Sequence, residues 1–381
     1  MEKSLYFISI ICIFLFQMCI PSSKSNKENE LLLSFQNKES LKASDIIKEY
    51  KLITLETTEN SIISQASQIE FHKNKIIILD NYKSNAVFFF SEDGCFINKI
   101  ERKGEGPGEF LHPYSFKVDK EYIYVLDRTL SRLLKYDLTT FEFKEEIIMP
   151  SLSPISFHVI SERDLYLYYY PYRENNNLEN KQLIISDKSG KIYNKIYDSS
   201  ESGKILHGGM NNFYTLENKT YFYPYFSNNI YSIENDSIYL QYKLLWDKYK
   251  FPDDSYFKTF AASNDLMQNL ISGANEYIRM MYIYDTPDNL TTKYYMKKEL
   301  YISSINKKSL MSFNINKDKI VDDMGFGGLF PLPVGTIENT YIGIIDPSQI
   351  DMNNISNDKL NKLLLDKSPD DNPVIVLYKM Q

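Results

Sequence analysis

The sequence predicts an all-β protein, a six-bladed β-propeller with four-stranded blades. The chain of 381 residues contains 31 Tyr and 23 Phe against one Trp, and aromatic residues fit the half-buried, pleated surface of strands. Short segments alternate between apolar and polar residues and end at turn residues, which is the period-2 pattern of strands. These segments recur in units of roughly 40–50 residues, the repeat length of propeller blades.

The first two units carry the clearest repeat. Residues 67–101 and 114–148 share one order of elements, in which short strands alternate with turns. Asp80 and Asp127 end the matching strands "IIILD" and "IYVLD". The later units are less regular and cover 155–198, 212–246, 277–316 and 335–346, with a last strand at 372–381. The sequence therefore contains six units.

The last unit lacks its fourth strand. "YKLITLE" (50–56) precedes the first unit and has no other partner, so we expect this N-terminal strand to close the last blade and hide its sheet edges. Residues 252–277 and 348–367 lack strand alternation and are predicted to be two short helical insertions, which brace the ring or bind a partner. Because the chain has only 14 Gly, many tight turns must use Asn and Asp.

The N-terminus has the pattern of a signal peptide. A positive residue, Lys3, precedes the apolar run 5–20, which is shorter than the roughly 20 residues that span a bilayer comfortably. We predict a signal peptide over 1–25, a flexible tether over 26–45 and the propeller over 46–381. The protein is expected to be exported to the periplasm or the outer membrane, touching the membrane only through an N-terminal lipid or signal anchor.

Two processing sites compete within this segment. Cys19 lies just after the apolar run, where bacterial lipoproteins carry the lipidated cysteine, but Met18 stands where those proteins have a small residue. Cleavage after Ser25, in the small-x-small pattern Ser23-Lys24-Ser25, is the alternative. The polar tether that follows favours lipidation at Cys19.

Several stretches resemble a known family. The loop "RKGEGPGEF" (102–110), followed by a strand, a turn and "IYVLD", resembles the NHL-type repeat. Together with "LITLETTENSIISQASQIEF" (52–71) and "DDNPVIVLYKMQ" (370–381), it makes residues 45–381 similar to the six-bladed β-propeller family of exported bacterial envelope proteins. Members of that family are often lipoproteins and mostly lack an assigned activity. The resemblance implies a fold and a location, but no reaction.

The glycine-rich loop is not a phosphate-binding loop. Gly104, Gly106 and Gly108 alternate along the chain, no Lys-Ser/Thr pair follows them, and the next element is a strand. Walker-type and dinucleotide-binding loops both lead into a helix. We expect the glycines to serve the crossing from the first blade to the second.

The crossing loops should converge on one face of the ring, and concave surfaces of this kind are where ligands bind. The alternatives for the residues there are a solvated charged loop and, for the tyrosines, aromatic packing between blades. The candidate ligand-binding residues are Arg102, Lys103, Glu105, Glu109, His112, Arg128, Arg132, Tyr172, Arg173, His207 and Tyr225.

A metal site is the alternative. Of the four histidines, His112 and His207 both lie in crossing loops, and some NHL-like propeller enzymes hold a channel metal with histidines. Two ligands are fewer than a zinc site needs. Asp80 and Asp127 could gather Ca²⁺ at the channel, but we favour a role in capping the turns that follow them. No cofactor is predicted, and a Ca²⁺ or Zn²⁺ ion in the channel stays open.

Charge and cysteine content narrow the function. A net charge of −7 without a basic stripe excludes a nucleic-acid partner. Cys95 is the one cysteine expected in the folded domain, as a small buried side chain, which excludes a disulfide scaffold and a cysteine-rich zinc site. The expected function is non-catalytic binding or scaffolding at the cell envelope, with a small molecule, glycan or envelope protein as partner. The alternative is a metal-assisted lyase or hydrolase with its site in the central channel.

Overall fold

The computed structural model describes residues 31–151, 154–171, 178–198, 211–260, 277–351, 355–364 and 367–381. Six antiparallel sheets follow one another along the chain as the blades of a propeller. The first strands of successive blades contact one another around the axis, so each blade has its innermost strand first. The prediction of a six-bladed propeller with four-stranded blades is confirmed.

The chain begins with an N-terminal segment and continues through the first three blades. The N-terminal segment contains β1 (Leu31–Phe35), β2 (Leu41–Lys42), α1 (Ala43–Ile46) and β3 (Ile47–Thr54). Blade 1 contains β4 (Gln68–His72), β5 (Lys75–Asp80), β6 (Ala86–Ser91) and β7 (Phe96–Ile100). Blade 2 contains β8 (Pro113–Asp119), β9 (Tyr122–Asp127), β10 (Arg132–Asp137) and β11 (Phe143–Ile147). Blade 3 contains β12 (Ser156–Ile160), β13 (Leu165–Tyr169), β14 (Lys181–Asp187) and β15 (Ile192–Asp198).

The last three blades include the helical insertions. Blade 4 contains β16 (Phe213–Leu216), β17 (Lys219–Phe222), β18 (Asn229–Glu234) and β19 (Ser237–Trp246), and α2 (Asp254–Phe260) follows it. Blade 5 contains β20 (Arg279–Asp285), β21 (Asn289–Met296), β22 (Glu299–Asn306) and β23 (Ser312–Asn316), and β24 (Ile320–Val321) follows it. Blade 6 contains β25 (Pro333–Ile337), β26 (Thr340–Ile345), α3 (Asp358–Leu364) and β27 (Val374–Met380).

The middle strands of a blade are apolar on both faces because a neighbouring blade covers each face. In β5, Ile77 packs toward blade 2, whereas Ile76 packs toward blade 6. The outer strand β7 keeps polar residues in its middle, where it meets solvent. Left-handed backbone at turn positions such as Asn74 (φ 62°) and Asp236 (φ 59°) confirms that Asn and Asp replace glycine in many turns.

The N-terminal strand closes the last blade, as predicted. β3 pairs antiparallel with β27, so that Thr54 lies opposite Val374. A buried side chain, Asn372, fastens this closure: its Nδ2 donates to the carbonyl oxygens of Glu56 and Ser61, each at 2.8 Å, and its Oδ1 accepts the N–H of Ile63 at 2.8 Å.

The segment before β3 is ordered, which corrects the prediction of a flexible tether over 26–45 from Leu31 onward. β1 adds a fifth, parallel strand to blade 4 along β19, and Asn37 bridges to Asn314 of blade 5. β2 then pairs with β24. Leu33 and Phe35 are fully buried, because "LLLSF" alternates and fills the outer groove of blade 4. The segment therefore runs along blades 4 and 5 before β3 enters blade 6.

Both helical insertions are confirmed by α2 and α3, and α1 is an additional short helix. In α3, Leu360 and Leu364 are buried against the core shared by blades 5 and 6. Among the helices of the described residues, none combines the length and apolar character needed to cross a membrane.

The prediction for Cys95 is wrong. Its side chain is exposed, because the residue lies in the turn after Gly94 and not in the strand that begins at Phe96. Gly94 has φ +92°, and a Cβ there would lie 2.0 Å from the carbonyl oxygen of Thr54. The turn is therefore pressed against the closing strand β3.

Candidate functional site

Buried aspartates fix the crossing loops on one face of the ring, here called the upper face. Asp127 is fully buried. Its Oδ2 accepts the N–H groups of Leu111 (2.6 Å) and His112 (3.2 Å) in the crossing loop. Its Oδ1 accepts those of Thr129 (2.8 Å) and Leu130 (3.1 Å) in the turn after β9. One carboxylate thus joins the loop to the turn, an arrangement here called the aspartate clamp.

Asp80 makes the equivalent contacts in blade 1. Its Oδ2 accepts the N–H of Ser64 and the hydroxyl of Ser84, each at 2.8 Å, and its Oδ1 accepts the N–H groups of Tyr82 and Lys83. Burial alone would raise the pKa of Asp80, but these hydrogen bonds lower it below its ordinary value. The turn-capping alternative is confirmed for both aspartates, whose oxygens face N–H and O–H donors.

The glycine-rich loop has the geometric role expected of it. Gly108 has φ +70°, and a Cβ there would lie 2.5 Å from the ring of Phe143. The carbonyl oxygen of Gly108 accepts the hydroxyl of Tyr136 at 3.0 Å. Phe110 is buried against the same tyrosine. The loop therefore packs closely against the outer strands of blade 2.

This packing carries the charged loop residues away from the channel. Arg102 Nη2 lies 3.4 Å from the carbonyl oxygen of Phe141, and Arg132 Nη1 donates to the carbonyl oxygen of Glu105 at 2.7 Å. Glu109 turns back on its own loop and accepts the N–H of Gly106 at 2.8 Å. The charged residues of this group therefore lie over the outer half of blade 2: Arg102, Glu105, Glu109 and Arg132, with the exposed Lys103 beside them. They do not converge at the channel mouth, where the sequence pattern placed them.

Two other candidate residues, His112 and Arg128, lie near the start of the inner strand β8. They are grouped there with Asn81, Asn85 and Tyr114. The exposed His112 has its Nδ1 3.2 Å from Asn85 Oδ1. The guanidinium carbon of Arg128 lies 4.6 Å from the ring centroid of Tyr114, within the range of a cation–π contact. Asn81 Nδ2 lies 3.4 Å from the carbonyl oxygen of Tyr114. These five residues are here called the upper mouth.

Arg128 is the distinctive group of the upper mouth. Its Nε is buried and has no hydrogen-bond partner among the described residues. A buried donor without a partner costs free energy, so the position favours an added acceptor. Its backbone lies directly between Asp127 and Thr129, which the aspartate clamp holds in place.

The remaining candidates divide between buried and undescribed residues. Tyr225 is only 7% exposed, and its ring centroid lies 5.8 Å from that of Tyr169. This contact agrees with the alternative given for the tyrosines, aromatic packing between blades. Tyr172, Arg173, His207 and the lipidation candidate Cys19 lie outside the described residues. The pairing of His112 with His207 stays a prediction. Within the described ranges, no three His, Cys, Asp or Glu side chains group to hold a metal ion.

Comparison with protein families places the whole ring in one group. Residues 29–379 match the family described as a domain of unknown function, DUF4934. The chain belongs to the DUF4934 family. No curated protein shows significant sequence similarity to it.

Among the solved structures that resemble this DUF4934 protein, two cover nearly the whole ring. The first is a protein from Bacteroides fragilis whose name assigns it to the exported proteins; it is 22% identical, with a TM-score of 0.81 over 92% of this chain and 100% of that one. The second is a member of the DUF4221 family from Bacteroides vulgatus, 12% identical, with a TM-score of 0.53 over 89% of this chain and 99% of that one. At these identities the likeness shows the fold alone.

The DUF4934 chain has a polar channel that the repeat pattern did not reveal. Lys117 of β8 lies 3.7 Å from Glu70 of blade 1 and 3.4 Å from the carbonyl oxygen of Phe213 in blade 4. With its amide turned to suit its neighbours, Asn211 also accepts from Lys117, at 2.7 Å. One lysine therefore reaches across the ring, which shows that the channel is narrow at this depth.

Lys293 is a second inner cation that sequence reasoning missed. Its Nζ lies 5.3 Å from the ring centroids of both Tyr282 and Tyr284, and it donates to the carbonyl oxygen of Pro333 at 2.9 Å. Burial lowers the pKa of Lys293 to about 8. The available signal was one lysine inside the otherwise uncharged strand "NLTTKYYM" (289–296).

An ion pair within blade 5 is linked to blade 4 by a tyrosine hydroxyl, away from the upper mouth. Asp285 has a fully buried side chain, with Lys307 Nζ 2.7 Å from its Oδ1. The hydroxyl of Tyr214 donates to its Oδ2 at 3.1 Å. Burial raises the pKa of Asp285 to about 6, although Lys307 and Tyr214 oppose the shift. The carboxylate ends its inner strand β20 and serves the contact between the two blades.

His158 predicts a dependence of stability on pH. Its Nε2 lies 3.0 Å from Thr220 Oγ1, and its Nδ1 is buried without a partner among the described residues. Burial, with a smaller effect of Lys117, lowers the pKa of His158 to about 3. The unfolded chain then binds the proton more tightly, so this group destabilises the fold as pH falls below about 6.5.

We expect His158→Gln to remove this loss of stability at low pH. Between pH 7 and pH 5 the wild type should lose about 2 kcal/mol more free energy of unfolding than the variant, as measured by urea unfolding. The comparison with the variant is needed because Asp285 has the opposite pH dependence: its protonated form stabilises the fold, and this stabilisation is lost as pH rises through about 6. Asp285 is present in both proteins, so its effect cancels in the difference between them. His72→Gln, at a partly exposed site, is the matched control. Equal pH dependence in wild type and His158→Gln would contradict the prediction.

Proposed function

We propose that the protein is a non-catalytic binding module of the bacterial cell envelope that receives a ligand at its upper mouth. The observation that carries the proposal is Arg128, held against Tyr114 with a buried Nε that has no partner among the described residues. Around it lie amide and imidazole groups of Asn81, Asn85 and His112. A few converging polar groups beside an aromatic ring are typical of sites that orient a polar ligand.

Rigidity supports the same proposal. The aspartate clamps fix both the crossing loop that carries His112 and the turn that carries Arg128. A site that is already ordered loses less conformational entropy when a ligand binds. The upper mouth is therefore suited to recognition without rearrangement.

The location at the envelope is inferred from the N-terminal sequence. Residues 5–20 form the apolar run of a signal peptide, and the similar Bacteroides fragilis protein is named as exported. We infer export to the periplasm or outer membrane, with lipidation at Cys19 as the anchor and NHL-type repeats in the ring. Cell fractionation followed by mass spectrometry of the N-terminal peptide tests the anchor: an acylated Cys19 supports it, and a free N-terminus after Ser25 contradicts it.

Binding is tested with Arg128→Ala on an array of neutral and acidic oligosaccharides. We expect the variant to lose about tenfold or more in affinity for the glycans that the wild type binds, equivalent to about 1.4 kcal/mol. Arg102→Ala, over the outer half of blade 2, is the matched control and should bind within about twofold of wild type. A loss confined to Arg102→Ala, or equal binding by all three proteins, would overturn the proposed site.

A further inference from the structure

The turn between β22 and β23 of blade 5 presents two adjacent apolar side chains to solvent. Leu310 is 53% exposed and Met311 is 74% exposed. The turn itself is ordered by Asn306, whose Oδ1 accepts the N–H groups of Lys308 at 3.1 Å and Ser309 at 2.9 Å. The N–H of Leu310 donates to the carbonyl oxygen of Asn306 at 2.8 Å. Leu310 and Met311, here called the apolar tip, therefore lie on a fixed backbone.

The backbone of Leu310 is unfavourable for a leucine. Its φ is +58°, in the left-handed region where a Cβ costs free energy. In the described part of the chain, Phe141 and Phe226 are the other apolar residues with positive φ. Each packs on an aromatic ring, Phe141 on Phe89 with centroids 4.7 Å apart and Phe226 on Phe257 with centroids 5.0 Å apart. Their packing offsets the strain, whereas Leu310 stays half exposed, so a contact outside the ring would explain an apolar side chain there.

The apolar tip lies on the face opposite the upper mouth. The crossing loop and the turn after β9, which is a second strand, lie on the upper face. Neighbouring strands of blade 5 are antiparallel. The turn between its third strand and its fourth therefore lies at the other end of the blade, here called the lower face. A surface that contacts the apolar tip leaves the upper mouth open.

The N-terminal segment passes directly beside the apolar tip. The N–H of Gln36 donates to the hydroxyl of Ser312, the residue after Met311, at 3.2 Å. From Gln36 the strand β1 leads back to Leu31, over about 17 Å for an extended chain. Cys19 lies twelve residues before Leu31, and a chain of that length spans at most about 43 Å. A lipid on Cys19 therefore holds this side of the ring close to the membrane.

We propose that the apolar tip rests on the membrane to which the lipid on Cys19 attaches, with Leu310 and Met311 inserted among the lipid headgroups. The inference rests on the proposed lipid anchor and adds a second membrane contact to the N-terminal one. Two apolar side chains bind a membrane weakly by themselves, and stable attachment takes two signals. Because the anchor is a short chain away, the contact becomes intramolecular and gains effective concentration.

The second contact would set the orientation of the ring. An anchor alone leaves the ring free to turn at the end of its chain, but an anchor with the apolar tip holds the lower face on the lipid. The upper mouth, with Arg128, then points away from the membrane. A ligand can reach it from the aqueous side without meeting the lipid surface.

The experiment measures lipid contact with a fluorescent probe in the apolar tip. The full-length protein, purified from bacterial membranes, is reconstituted into vesicles of phosphatidylethanolamine and phosphatidylglycerol with plain or brominated acyl chains. Met311→Trp places the probe, and the signal of wild type, whose one tryptophan is Trp246, is subtracted. An interfacial contact reaches about 5–10 Å into the headgroup and acyl boundary, so we expect brominated lipid to lower the added fluorescence about twofold or more.

Ile97→Trp is the matched control. Ile97 is 43% exposed on the outer strand of blade 1, which lies opposite blade 4 in a ring of six. Brominated lipid should leave its added fluorescence unchanged. Leu310→Gly tests the strain separately: glycine adopts positive φ readily, so this variant should unfold at the same or a higher urea concentration than wild type. A lower midpoint would show that the leucine serves the fold and would contradict the inference.

Mass spectrometry of the N-terminal peptide from the same preparation separates the outcomes. If Cys19 is acylated but brominated lipid affects Met311→Trp no more than Ile97→Trp, the membrane contact is overturned and the anchor stands. A protein partner is then the occupant to seek for the apolar tip. If Cys19 carries no acyl chain, the anchor and the membrane contact both fail. The ligand site at the upper mouth is judged independently, by Arg128→Ala.

Discussion

Asp127→Ala is expected to lower the free energy of unfolding by about 4 kcal/mol. The fully buried carboxylate accepts four backbone N–H groups, two from the crossing loop and two from the turn after β9. Each buried donor that loses its acceptor costs about 1 kcal/mol or more. Urea unfolding followed by tryptophan or tyrosine fluorescence measures the loss.

Asp137→Ala is the matched control in the same blade. Asp137 also accepts two turn N–H groups, those of Thr139 and Thr140 at 2.8 and 2.9 Å, but in an exposed turn. Water can replace the carboxylate there, so we expect a much smaller loss of stability. Similar losses for the two variants would show that the clamp adds nothing beyond an ordinary turn cap.

Phe35→Ala is expected to lower the free energy of unfolding by about 3–5 kcal/mol, which is similar to the effect of Asp127→Ala. The phenyl ring is fully buried and stacks on Trp246, with ring centroids 5.2 Å apart. Trp246 Nε1 in turn donates to Ser303 Oγ of blade 5 at 3.0 Å. Removing the ring opens a cavity where the N-terminal segment covers blades 4 and 5. Thermal and urea unfolding of the purified variant measure the effect.

Leu32→Ala tests whether the position of the side chain matters. Leu32 belongs to the same strand but is 54% exposed, so its truncation should change the free energy of unfolding by less than about 0.5 kcal/mol. If Phe35→Ala were equally harmless, β1 would contribute no stability, and the expectation of a tether over these residues would be restored.

The sequence predicted most of the ring because each blade depends on local signals. Period-2 alternation, turn residues and the repeated aspartates locate strands whose partners lie within one unit, and the unpaired strand at 50–56 indicates how the ring closes. It failed for β1 because this parallel fifth strand is not part of the repeat. "LLLSF" (31–35) is short and follows a polar stretch, so its partner β19 could not be inferred from any pattern.

The candidate site was predicted only in part, for a related reason. Arg128 and His112 were expected on the ligand face because they lie beside the crossing loop of blade 2. Arg102 and Glu109 follow the same logic, but the fit of Gly108 against Phe143 turns their part of the loop outward. Lys293 was missed because its partner, the carbonyl oxygen of Pro333, lies on the neighbouring blade. No spacing along the chain records that proximity.

Closure of the ring by both ends of the chain has a kinetic consequence. The hydrogen bond between Asn372 and the Glu56 carbonyl oxygen joins residues 316 positions apart, whereas the hairpins of blade 2 form between sequence neighbours. Contacts at such separation slow folding, because the entropy of closing the loop is lost before the contact is made. Blades 1 to 5 can form their strand pairs while the C-terminal strand is still missing. The sixth blade must wait for the last ten residues, which makes the final stage of synthesis the step that commits the molecule to its native state.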